Sequence, residues 1–164
     1  MVELSLVGVR VELPSNQPIV LLKEAEGERY LPIWIGAVEA TAIAFALQGI
    51  QTPRPMTHDL IRDILRQTDI QVERILINEL VEQTFFALIR MSQDGKSTDV
   101  SSRPSDAIAL AVRIEAPIFA AEEVLDQAGI ELKEDEESED AEGEVERFRE
   151  FLDQVTPDDF AADQ

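Results

Sequence analysis

Val2, Leu4 and Leu6 alternate with polar or small neighbours, and Val7, Val9, Val11 and Leu13 continue on the opposite parity. Alternation of this kind marks a half-buried strand, and the phase flip beside Gly8 marks a bulge within it. Pro14–Pro18 reads as a turn, Ile19–Glu24 as a second strand, Ala25–Arg29 as a turn and Tyr30–Ile35 as a third strand, which together predict an antiparallel meander. Trp34 lies in the last of these and reads as a core position.

The period then lengthens. Gly36 opens a helix to about Leu47, with Glu39 where a carboxylate meets free amides of the first turn. Gly49–Met56 is a loop stiffened by two prolines. Thr57–Thr68 is an amphipathic helix with Thr57 as a natural N-cap. Leu60, Ile61, Ile64 and Leu65 form its apolar stripe, and Arg62 and Arg66 fall on its exposed side. Two strands follow over roughly Ile70–Ile77 and Thr84–Met91, then the turn "QDGK" and a short strand to Val100. A helix runs from about Pro104 to Ile114, "APIFA" is a short strand, and "AEEVLDQAGI" is a short helix ended by Gly129.

Glu131–Glu144 is an acidic linker whose composition predicts disorder. Beyond it, Val145, Phe148, Leu152 and Val155 recur at helical spacing, followed by Pro157. An apolar face that short does not hold a helix alone, so it needs a surface to dock on. The body, a second copy or another protein would serve. The pattern therefore predicts an α+β domain over residues 1–130, a linker over 131–144 and a short helical tail over 145–164. The sheet is mixed or antiparallel and packs with three or four helices.

Charge narrows the function. The net charge is −20, and residues 131–164 carry 15 acids and 3 bases, or −12, leaving −8 on the body. An acidic body argues against tight sequence-independent binding of nucleic acid unless a local basic patch supplies it. The chain has no cysteine, so it has no disulfide framework, and with one histidine zinc is disfavoured. That composition suits a reducing, cytoplasmic compartment. No secretory signal is read at the N-terminus. Leu31–Gly49 is apolar, but Glu39, Pro32 and Gly36 interrupt it, so no membrane span is expected.

Two loops that precede helices resemble each other. One reads Arg54-Pro55-Met56-Thr57-His58-Asp59 and the other Arg103-Pro104-Ser105-Asp106. Ordinary helix-start chemistry explains both: proline in the first turn, hydroxyls as caps, acids against the macrodipole. A phosphate site explains them as well. Helix N-termini attract phosphate and arginine binds it bidentately, while Asp59 and Asp106 would repel it unless a divalent cation lay between. On that reading Asp59 and Asp106 hold Mg²⁺ or Mn²⁺ and Arg54 and Arg103 take the phosphate. Thr57 and Ser105 line the site, and His58, the only histidine, moves the proton.

Three segments, "LPIWIGAVEA", "RPMTHDLI" and "SRPSDAIALAVRIEAPIF", in that order, resemble the bifunctional nuclease family over about residues 1–130. The resemblance implies a compact, self-associating α+β domain acting on both DNA and RNA, an activity attached to plant relatives. It supplies no settled catalytic residues. The expected function is a metal-assisted nuclease with His58, Asp59 and Asp106 as its catalytic groups. The alternative is a non-catalytic homo-oligomeric module that binds a small anion or a protein, with residues 145–157 as recruiter.

Overall fold

The computed structural model describes residues 1–132; the predicted linker, save its first two positions, and the whole predicted tail helix lie outside the described residues. The N-terminal meander is β1 (Val2–Glu12), β2 (Gln17–Glu24) and β3 (Arg29–Trp34), paired antiparallel, with the register of β1 shifting between Leu6 and Gly8. The bulge restores the inward face after the flip, so that Leu4, Leu6 and Val9 all reach the core.

Helices α1 (Ala37–Leu47) and α2 (Thr57–Gln67) follow. A second meander of β4 (Gln71–Val81), β5 (Thr84–Gln93) and β6 (Lys96–Ser102) leads to α3 (Pro104–Ile114). The two meanders become one sheet through β7 (Ile118–Ala120). It lies between β1 and β4, antiparallel to the first and parallel to the second. After α4 (Glu122–Ala128), the two-residue strand β8 (Ile130–Glu131) closes the other edge against β3. The order is β6-β5-β4-β7-β1-β2-β3-β8, a mixed eight-stranded sheet with four helices. The α+β expectation holds. The sequence pattern did not reveal β8, because two exposed residues carry no periodicity.

Leu22, Leu31, Ile75, Ile77 and Ala87 from the sheet, and Ile43, Ile108, Val124 and Leu125 from α1, α3 and α4, form a single buried cluster. The helices thus cover one face of the sheet. Ala40, Ala42 and Ala44 of α1 and Ala107, Ala109 and Ala111 of α3 bury almost completely and let the two helices lie close over the strands. Trp34 is not a core residue: it is about half exposed, and its indole N–H donates to Glu12 Oε2 at 2.8 Å. Ile33 and Ile35 hold the inward positions, so strict alternation turns Trp34 outward.

Helix α2 has the reverse of the expected orientation. Its sole buried residue is His58, 7% exposed, whereas Leu60, Ile61 and Ile64 are 51%, 37% and 52% exposed. Its polar side faces the body and its apolar stripe faces out. Thr57 is the first helical residue rather than the cap. Met56 holds the cap position, and Asp59 Oδ2 reaches back to accept its N–H at 3.0 Å.

Candidate functional site

Two polar chains join α1, α2 and α3. The first runs through four residues. His58 Nε2 lies 3.0 Å from Asp106 Oδ1, Arg103 Nε donates to Asp106 Oδ2 at 2.7 Å, and Arg103 Nη2 donates to Glu39 Oε1 at 2.7 Å. Each comes from the first turn or cap of a helix, His58 from α2, Arg103 and Asp106 from α3, Glu39 from α1. The imidazole is buried, and the Arg103 side chain is 64% exposed. A buried imidazole and an outward guanidinium thus share one carboxylate.

Gly36 makes the reach of Glu39 possible. A Cβ there would collide with Glu39 Oε2, so a glycine leaves the carboxylate room to fold back over the start of α1. The sequence expects Glu39 to cap α1; in the structure its carboxylate pairs with Arg103.

The second chain is structural in character. Arg113, its side chain 5% exposed, donates from Nε to Asp59 Oδ1 at 2.7 Å, from Nη1 to the Ala109 carbonyl and from Nη2 to the Ala42 carbonyl. One guanidinium therefore ties α3 to α2 and α1. Arg62 pairs with Asp63 at 2.8 Å and stands 3.8 Å from Asp59. Arg113, Asp59, Arg62, Asp63, Phe45 and Ile50 line part of an open cleft of about 490 Å³ between the α1–α2 loop and the end of α3. Sequence reading missed Arg113. Its signal is an isolated charge on the otherwise apolar run "AIALAVRI", which needs an acid partner when buried.

Burial pushes the Asp59 carboxyl up, but the hydrogen bonds from Arg113 and the Met56 amide, with the charges of Arg113 and Arg62, outweigh it and hold the carboxyl below its usual value. Asp106 follows the same logic: burial raises it, and Arg103 together with His58 lowers it further. Both acids are carboxylates at neutral pH. Arg103 is raised by its hydrogen bonds to Asp106 and Glu39.

The predicted site residues thus divide. His58, Asp106 and Arg103 meet, joined by Glu39. Asp59 goes to Arg113. Ser105 is buried in the first turn of α3. Arg54 and Thr57 are exposed at the entry to α2. All four oxygens of Asp59 and Asp106 accept hydrogen bonds or face His58, and among the described residues no three His, Asp or Glu side chains are grouped to hold a metal ion. As arranged, this pair does not fit a shared divalent cation.

An α+β domain with a His–Asp–Arg–Glu chain at converging helix starts is the class defined by fold and site. The bifunctional nuclease domain model matches residues 20–133, and the chain belongs to that family. Uncharacterized proteins of two Mycobacterium tuberculosis strains are 51% identical over 98% of this chain and 98% of their own length. Bifunctional nuclease 2 of Arabidopsis thaliana is 30% identical over 65% of this chain, and that of Oryza sativa subsp. japonica is 25% identical over 68%. This chain spans about a third of the length of those plant proteins. No helix among the described residues is long and apolar enough to cross a membrane.

Proposed function

We propose that this chain hydrolyses phosphodiester bonds of DNA and RNA at the converging starts of α2 and α3. The observation that carries the reading is the buried His58 held by Asp106, with the exposed Arg103 on the same carboxylate. Hydrolysis adds water to phosphorus as one ester oxygen leaves. A proton must be taken from the water and one given to the leaving oxygen, and an imidazole can serve either purpose. Asp106 orients the ring through Nε2 and leaves Nδ1 as the nitrogen that moves the proton. Arg103, anchored through Nε and Nη2, keeps further N–H groups for a phosphate, and Arg54 and Thr57 extend the site along the entry to α2. The names of the plant relatives support the substrate class.

The test is a nuclease assay on single- and double-stranded DNA and on RNA. His58→Ala and Asp106→Ala should abolish turnover while circular dichroism stays unchanged. Full activity in both variants would end the assignment. Divalent assistance by Mg²⁺ or Mn²⁺ is a separate proposal, tested by chelation, and no step above runs through an ion. Cytoplasmic residence is likewise proposed, supported by the lack of cysteine.

One observation favours a non-catalytic reading: both acids are already occupied by the chain's own cations, in a body of net charge −8. On that reading Arg103 and Arg54 hold a small anion, and the domain works as a homo-oligomeric binding module. Phosphate binding by wild type that Arg103→Met removes, with no turnover on any nucleic acid, would select it.

A further inference from the structure

The inverted orientation of α2 leaves Leu60, Ile61 and Ile64 exposed on two successive turns. A helix that turns its apolar stripe outward on a folded body has a partner for that stripe. We propose that the occupant is this chain's own segment Val145–Val155, which covers the outer face of α2.

Five observations favour it. The segment places Val145, Phe148, Leu152 and Val155 at the spacing of one helical face, long enough to cover the whole Leu60–Ile64 stripe. Charge is complementary: residues 131–164 carry −12, and the exposed Arg66 in the last turn of α2 offers a cation beside the stripe, while Arg62 is held by Asp63. A second copy would bring another −20. Size also separates the two occupants. Three side chains on one short helix fall well below the roughly 800 Å² per partner of a stable interface between free proteins, whereas a tethered segment works at an effective concentration of about millimolar and needs less surface. Reach is sufficient: thirteen residues from 132 to 145 span up to about 40 Å, against a body whose radius of gyration is about 14 Å. The mycobacterial relatives match over 98% of this chain, so their likeness runs through the segment as well as the body. Docking there places the segment on the back of the helix that carries His58.

The chain has no cysteine, which makes the test direct. Full-length Ile64→Cys/Phe148→Cys and Leu60→Cys/Leu152→Cys proteins are oxidised, and separately treated with a short bismaleimide, at low protein concentration. Ser15→Cys/Phe148→Cys, with one cysteine on the β1–β2 turn in the other half of the sheet, is the reference. All the engineered positions on the body are exposed, and unchanged melting temperatures confirm the fold. The expected result is a cross-linked monomer in at least one α2 pair, forming about tenfold faster than in the reference. A cross-linked dimer whose yield rises with concentration would assign the face to a second copy and overturn the proposal. Equal rates in all three proteins, or no cross-link in either α2 pair, would overturn it too.

Discussion

Arg113 donates to Asp59 across 54 positions of sequence, at 2.7 Å, and so fixes the last turn of α3 to the first turn of α2. The neighbouring His58 points to Asp106 instead. Adjacent residues of one helix turn therefore serve two different chains, one tying α3 to α2 and the other holding the proposed catalytic imidazole.

Removing the structural pair should cost stability. Arg113→Met and Asp59→Ala each strand a charge that is largely shielded from water, and each is expected to lower the unfolding free energy by about 3 kcal/mol. Because Asp59 is partly exposed, water offsets some of its loss, and Arg113 is the more damaging site when the acid goes. Urea titration followed by tryptophan fluorescence measures both. A change under 1 kcal/mol in each would show that the pair is incidental.

Turnover should divide along the same line. His58→Gln is expected to reduce hydrolysis about 10²–10⁴-fold, the usual worth of a general acid or base, with stability little changed. Asp59→Asn, assayed well below its melting temperature, should retain most of the wild-type rate. Equal losses in the two variants would contradict the separation.

The anchoring of Arg103 predicts a remote effect. Gly36→Ala forces the Glu39 carboxylate away from its position and frees Arg103 Nη2. The expected outcome is a rise in KM of about threefold to tenfold, one charge-assisted hydrogen bond's worth, with kcat less affected. Arg103→Lys should do more, since an ammonium does not reproduce the fork that meets both Asp106 and Glu39. Steady-state kinetics on a short oligonucleotide separates the two parameters.

The depressed carboxyls set the acid limit. Asp59 and Asp106 titrate lower in the folded chain than the roughly 3.9 of an unfolded aspartate. Folding therefore gains from them above that value, and the gain disappears as pH falls through their folded pKa values. Thermal melts should show stability from these two groups level from pH 7 to about pH 4 and declining below it. Asp59→Asn should flatten part of that decline. An unchanged acid slope would remove Asp59 from the account.

Activity after dialysis against EDTA tests divalent assistance. If the ion is required, activity falls with chelation and returns with Mg²⁺ or Mn²⁺. Since Asp59 is tied to Arg113 and Asp106 to Arg103 and His58, neither Asp59→Asn nor Asp106→Asn should alter any such dependence.

Periodicity alone determined most of the elements. The phase flip at Gly8, the change from a period of two to a helical one after Gly36, and the proline at the start of α3 are each settled by neighbours a few residues away, so both meanders and the four helices were legible. The two similar loops were legible as chemistry for the same reason. What each acid meets was decided only in three dimensions. Asp106 finds His58 48 positions away, Asp59 finds Arg113 at 54 and Arg103 finds Glu39 at 64, through helices whose relative placement depends on packing of alanines over the sheet. The facing of α2 belongs to the same level. Its stripe predicted an amphipathic helix, but an amphipathic pattern states only that two sides differ. Here burial of His58 and the ion pair at Asp59 turn the polar side inward, and the apolar side is left exposed.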